Sequence, residues 1–227
     1  MNDYLPVAVS LIRENEFRGF WAARWSPSLF GALLAWSAAC LSAEPRWPAA
    51  YSRQPIPSVL FVPTPRDVIP DMLELARVRK DDILYDLGCG DGRVLIEAAK
   101  RYRCRAVGVD IDPRRVWESR QNVRRTGVSH LVHIERGDLL EFDLRSATVI
   151  TLYLTPRLNS RLAPRLKQLK PGSRIVSHQF PIPGVVPRKT LRLVSKEDGH
   201  RHVLFLYVTP LQGRTVSVPS TGMETSQ

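Results

Sequence analysis

The chain has 227 residues, 44% hydrophobic and 24% charged, the proportions of a folded globular protein rather than a disordered or collagen-like one, and a length suited to one domain plus tails. Its 33 Lys and Arg against 22 Asp and Glu give a formal charge of +11, which fits a nucleic acid, an anionic membrane or an acidic partner, and equally a surface solvated by guanidinium groups. Three cysteines, Cys40, Cys89 and Cys104, lack any paired spacing, so neither a disulfide framework nor a Cys-x-x-Cys metal site is suggested and no metal is expected.

The first segment, 1–43, holds nineteen uncharged residues from Trp25 to Ala43 behind Arg13, Arg18 and Arg24. This is the layout of a secretory signal peptide or a short signal anchor. Leu41 suits a cleavage site poorly and Pro27 shortens any helix, so cleaved signal and anchor both stay open. The Lys and Arg flanking the segment are balanced and do not orient it. Residues 44–57 carry Pro45, Pro48, Pro55 and Pro57, which resist helix and predict a linker. A folded domain is expected over 58–209, followed by a polar, aperiodic and disordered tail over 210–227.

Within the domain, short apolar runs alternate with helical stretches, the pattern of parallel strands joined by crossover helices. The expected order is helix 66–78, strand 82–87, helix 92–102, strand 105–110, helix 113–126, strand 131–136, strand 147–153, helix 156–169, then strands 173–178, 190–196 and 201–208. Leu158, Leu162, Leu166 and Leu169 share one helical face. The connection after the strand ending at His178 is only about a dozen residues and holds Pro181, Pro183 and Pro187; no crossover helix fits there. Asp198-Gly199 predicts a hairpin between the last two strands. The architecture is therefore an α/β, doubly wound sheet, mostly parallel with one antiparallel strand. His200 and His202 stand where that hairpin enters its strand, a setting that suits a structural or exposed role better than a metal.

The sharpest local signal is Ile83-Leu84-Tyr85-Asp86-Leu87-Gly88-Cys89-Gly90-Asp91-Gly92-Arg93-Val94, a strand breaking into alternating glycines and then opening a helix. Glycines at 88, 90 and 92 tolerate positive φ and let a ligand lie on bare backbone, beside the free N–H groups of a helix start. Dinucleotide sites favour Gly-x-Gly-x-x-Gly. Here the spacing is Gly-x-Gly-x-Gly, and Asp86 before it would repel a pyrophosphate while suiting the positive amino group of a methionine moiety.

The next strand ends at Asp110, where a carboxylate can accept two hydrogen bonds from ribose hydroxyls; Asp112-Pro113 is instead an N-cap with Pro at the first helical position. Asp138, after the third strand, stands where an adenine amino group could donate. Each acid alone is as well explained as a cap or surface carboxylate. Three of them at successive strand ends converge on one side of a sheet, as ligand sites in open α/β sheets do.

With these residues in place the chain resembles the class I, seven-stranded, Rossmann-like S-adenosylmethionine methyltransferases over about 66–209. The resemblance implies strand order 3-2-1-4-5-7-6 and S-adenosylmethionine as cofactor. It also implies Asp86 and Gly88 near the methionine part, Asp110 on the ribose and Asp138 near the adenine, with Leu87, Cys89, Gly90, Gly92, Ile111 and Leu139 in the same site. A narrower likeness lies in Phe61-Val62-Pro63-Thr64-Pro65, Asp91-Gly92-Arg93 and Ser177-His178-Gln179-Phe180-Pro181-Ile182-Pro183. These stretches are similar to bacterial relatives of the mitochondrial lysine methyltransferases of the adenine nucleotide translocase and the ATP synthase c subunit. That family has an N-terminal hydrophobic targeting segment and lacks the helix after strand five.

Methyl transfer from a sulfonium is an in-line displacement, dominated by positioning of the nucleophile and exclusion of water. Tyr153 can orient an amine by hydroxyl or ring face, or simply pack. His178 can act as a base, or serve as a hydrogen-bonded structural histidine. Pro63, Thr64, Thr155, Asn159 and Phe180 are expected to wall the acceptor channel. Nucleic-acid amino-methylating relatives place Asp or Asn-Pro-Pro-aromatic where this chain has Leu154-Thr155-Pro156, which argues against base methylation. The resulting expectation is methylation of a protein lysine, with a membrane-embedded substrate admitted. A lipid or small-molecule O- or N-methyltransferase and a non-enzymatic cofactor-binding scaffold are the alternatives. The N-terminal segment is expected to make membrane contact with the domain on the cytoplasmic side, where the donor is made, the alternative being export to the periplasm.

Overall fold

A computed structural model describes residues 61–213. The expected hydrophobic segment 1–43, the linker 44–57, residues 58–60 and the tail from 214 lie outside the described residues. Among the described residues no helix is long and apolar enough to cross a membrane.

Eleven elements follow in the expected order. They are α1 (Ile69–Leu75), β1 (Ile83–Leu87), α2 (Arg93–Tyr102), β2 (Arg105–Asp110), α3 (Pro113–Arg125), β3 (Val132–Arg136), β4 (Val149–Leu152), α4 (Pro156–Leu166), β5 (Arg174–His178), β6 (Lys189–Val194) and β7 (Arg201–Val208). The strands form one sheet in the order β3-β2-β1-β4-β5-β7-β6. Pairings from β3 through β5 are parallel, and β7 runs antiparallel to both β5 and β6.

Two helices are shorter than expected, each for a local cause. The first helix is shorter than 66–78 because Pro70 lacks the N–H that would extend a hydrogen-bonded start, and Arg77 leaves the helical region at φ 50°. Helix α3 begins as expected, with Asp112 accepting from the Arg114 N–H at 2.8 Å and Pro113 first in the helix. Helix α4 stops at Leu166 rather than 169, with Lys167 as its cap and Pro164 inside its last turn.

The core lies on both faces of the sheet. On one, α1, α2 and α3 bury Met72, Leu73, Leu95 and Val116 against Leu84 and Val176. On the other, α4 presents Leu162 and Leu166 to Leu87, Ile150 and Ile175. Strands β1 and β4 are buried along nearly their whole length, as expected of parallel strands covered on both sides. The connection from β5 to β6 is a loop with no helix, and Ile182 and Val185 from it pack beside Tyr207 in place of one. The Ile182 N–H donates to the Tyr207 hydroxyl at 2.9 Å. The ordered chain runs past the expected domain end at 209. The Val186 N–H donates to the Gln212 carbonyl at 2.9 Å, and Gly213 bridges Val185.

Candidate active site

The parallel strands deliver their C-terminal ends to one edge, and β1 and β2 build the site there. Beyond β1 the N–H groups of Gly88 and Cys89 both donate to the Val109 carbonyl, at 2.9 and 3.1 Å. This bond pair folds the glycine loop back against β2. Gly88, Gly90 and Gly92 all take positive φ, 81°, 54° and 80°, which a side chain would resist. At Gly90 a Cβ would also fall 2.1 Å from the Phe61 ring.

Asp86 is buried at the end of β1 and accepts from the Thr151 hydroxyl at 2.7 Å. Burial pushes its carboxyl up to about 7; the Thr151 bond opposes this, and the charges of Asp110 and Asp91 add to it. Asp110 accepts from the Gly90 N–H and the Asp112 N–H, both at 2.9 Å. Burial raises its pKa and those two bonds oppose the rise. Asp86, Gly88, Cys89, Asp110, Ile111 and Leu139 all line one cavity. Burial holds the Cys89 thiol well above its ordinary range, so it serves as a small apolar wall and not as a nucleophile.

Several expected site residues stand elsewhere. Leu87 lies in the core beneath the loop. Asp138 is exposed and outside the cavity lining, its carboxylate accepting from the Leu140 N–H at 2.8 Å as a local turn. Pro63 is exposed, and Thr155 caps α4 by accepting from the Leu158 N–H at 3.4 Å. Asn159 is fully buried and donates to the Phe180 and Pro181 carbonyls at 3.1 and 3.3 Å, so it anchors the loop rather than walling a channel. The Phe180 side chain also lies outside the lining.

Thr64, Tyr153 and His178 do come together. Thr64 and Tyr153 line the cavity, and the Tyr153 ring packs on His178 with centroids 4.0 Å apart. Thr64 Oγ1 is 3.2 Å from His178 Nδ1. On the far side, His178 Nε2 is 2.8 Å from His202 Nδ1, and His202 Nε2 lies 3.2 Å from both carboxylate oxygens of Asp198. Burial, with the neighbouring His202, pushes His178 down to about 4, so it is a neutral imidazole at physiological pH.

Sequence reasoning passed over Arg93 and Phe61 as site residues. The Arg93 guanidinium grips Asp91 at 2.7 and 3.0 Å and donates to the Thr64 carbonyl at 2.9 Å. It thereby ties the segment before α1 to the glycine loop. The Phe61 ring lies 4.4 Å from the Arg115 guanidinium carbon, a cation–π contact over the same cavity. Both lie in the stretches that carried the narrower likeness.

The donor set suits one ligand class: a buried carboxylate for an ammonium, a second carboxylate for a diol, and bare backbone between them. When bound, S-adenosylmethionine supplies an electrophilic methyl group on a sulfonium. Of the residues lining the cavity, Asp86 and the glycine loop would hold its amino-acid end, Asp110 its ribose, and Ile111 and Leu139 would border the base. Fold and site together define an S-adenosylmethionine-dependent methyltransferase of the seven-stranded class.

Residues 86–189 match the family described as the ANTKMT methyltransferase domain. The chain is 46% identical over 156 residues to a protein-lysine N-methyltransferase of Saccharolobus islandicus, covering 67% of this chain and 95% of that protein. It is 31% identical over 128 residues to the lysine N-methyltransferase of the ATP synthase c subunit from Xenopus laevis, covering 56% of each. Among solved structures, an RNA methyltransferase from Salinibacter ruber in complex with S-adenosyl-L-homocysteine is 45% identical, with a TM-score of 0.59 over 64% of this chain and 93% of that one. The protein belongs to this methyltransferase family. It spans about half the length of its animal relatives.

Proposed function

We propose that the protein transfers methyl groups from S-adenosylmethionine to the side-chain amine of a lysine in a protein. The observation that carries this is the cavity wall beside the cofactor residues, where Thr64 and Tyr153 line one space. A hydroxyl oxygen accepts from an ammonium, and an aromatic face attracts the same cation and its methylated forms. The Saccharolobus relative, with 95% of its length matched, supports the same acceptor class.

The test incubates the full chain with methyl-tritiated S-adenosylmethionine and three probes: the detergent-solubilised c subunit of ATP synthase, denatured ribonuclease A, and transfer RNA. Methyl-lysine in acid hydrolysates of a protein probe supports the reading. Label confined to RNA overturns it.

We infer further that the segment 1–43 holds the domain at a membrane, with the domain on the cytoplasmic side. The nineteen uncharged residues behind three arginines support this, as does the intracellular origin of the donor. A reporter fused after Gln227 that is active only outside the cytoplasm would overturn it.

A further inference from the structure

A lysine reaches its methyl donor as an ammonium and must lose a proton before its nitrogen has a lone pair to attack with. A protein substrate seated over the cavity keeps water from taking that proton. We propose that Thr64, His178, His202 and Asp198 form a wire that carries the proton from the acceptor ammonium to solvent, an inference that rests on the lysine reading above.

The direction of the wire follows from the hydrogen-bonding capacity of its members. Asp198 is a carboxylate, pulled below the usual range chiefly by the His200 N–H, and it has no proton to give. His202 Nε2, 3.2 Å away, must therefore carry the hydrogen between them. The wire requires the singly protonated form of His202, in which a hydrogen on Nε2 leaves Nδ1 bare. His202 Nδ1 then accepts, and the hydrogen on the 2.8 Å contact belongs to His178 Nε2. By the same step His178 Nδ1 is bare and accepts from the Thr64 hydroxyl at 3.2 Å. All three contacts lie within hydrogen-bond reach. Thr64 donates inward, which leaves its oxygen lone pairs free for an N–H arriving in the cavity.

Transfer moves one proton at each link. The Nζ–H bond breaks and an O–H forms on Thr64, whose own hydrogen passes to His178 Nδ1. The Nε2 hydrogen of His178 passes to His202 Nδ1, and that of His202 to Asp198. The side chain of Asp198 is 37% exposed, against 7% for His202, so the last proton leaves to water and no atom is oxidised or reduced. With the site reopened, water removes the hydrogen left facing the cavity, and a proton returning through Asp198 restores the original order. The titratable and charged groups facing the wire are Tyr153, stacked on His178, and His200 beside Asp198. Asp67 and Glu197 approach it through Ser195, which donates to Asp67 at 2.8 Å and accepts from the Glu197 N–H.

The informative variant is Asp198→Asn, since an amide oxygen still accepts from His202 but cannot take up its proton. The full chain and this variant are assayed on the detergent-solubilised c subunit of ATP synthase and on denatured ribonuclease A at pH 7 and pH 9.5. We expect the variant to lose roughly 100-fold at pH 7, the lower end of general acid–base effects, and to approach the wild-type rate at pH 9.5, where about a tenth of a lysine amine is already neutral against well under a thousandth at pH 7. In parallel, long-range nitrogen–proton NMR of the wild type should place the hydrogens of His178 and His202 on Nε2. An unchanged ratio of the two rates, or a hydrogen on Nδ1 of either ring, overturns the wire. No transfer to either probe at either pH overturns the lysine reading and the wire with it.

Discussion

Arg93 and Thr64 are joined by a 2.9 Å hydrogen bond from the guanidinium to the main-chain carbonyl, while the same guanidinium holds Asp91. The residue that opens α2 after the glycine loop thus also fixes the main chain of a residue that lines the cavity. One side chain ties the two parts of the cavity wall together.

Replacing Arg93 with Ala should therefore damage stability and catalysis together. It leaves the Asp91 carboxylate, whose side chain is 10% exposed, without its partner, a loss of roughly 3 kcal/mol. For a domain of this size that is a fall of roughly 6 to 12 °C in Tm. Arg93→Lys should recover part of the stability but not the acceptor KM, because one ammonium cannot serve both Asp91 and Thr64. A melting curve beside steady-state kinetics checks both statements.

Cofactor binding should weaken on acidification. The folded chain holds a proton on Asp86 up to about pH 7, and an ammonium needs the ionised form. Affinity for S-adenosylmethionine, measured by calorimetry, should fall up to about tenfold per pH unit below 7. Thr151→Val removes the bond that favours ionisation and should shift this fall to higher pH. Asp86→Asn should bind weakly at every pH.

The same carboxylate sets a stability trend in the free protein. Its folded pKa lies above the unfolded value, so its contribution is fully present below about pH 4 and is lost as pH rises through about 7. Denaturant midpoints measured across that window should fall with pH more steeply in the wild type than in Asp86→Asn.

Asp110→Ala should reduce cofactor affinity by roughly 10- to 100-fold, the loss expected when a charged acceptor is removed from a diol. Gly90→Ala should do so by another route, since φ 54° and the Phe61 ring both oppose the new methyl group. Calorimetric titration of both variants at pH 8 separates this from the Asp86 titration.

Asn159 offers a contrast between truncation and a near-isosteric change. Its amide N–H groups face the Phe180 and Pro181 carbonyls. Asn159→Ala should lose roughly 1 to 3 kcal/mol. Asn159→Asp should lose more, because it sets a buried carboxyl against carbonyl oxygens. Equal melting temperatures for the two would disprove the anchoring role.

The element order and the glycine loop were legible because both are written in local patterns, apolar runs of strand length and glycines at fixed offsets. That Asp86 and Asp110 share one cavity was legible for the same reason, each lying at or next to a strand end. Orientation was not. Nothing local told Asn159 to face the loop after β5 rather than the cavity, or Asp138 to spend its carboxylate on Leu140. The histidine pair was hidden for a different reason. His178 and His202 meet only because β7 pairs antiparallel with β5, a register that no residue of either strand announces.

The separations within that cluster carry a consequence for assembly. His178 and His202 are 24 residues apart, in a hairpin-like block whose connections are short, whereas Thr64 and His178 are 114 apart. Closing the longer loop has the larger entropic cost and awaits the parallel strands between them. A full-length refolding chain can therefore bring its histidines together early, but it gains the Thr64 contact only when the start of the domain docks against its end. Completion of the cluster is in this sense a late checkpoint: a partly folded chain with its histidines already paired still lacks the hydroxyl at the cavity end.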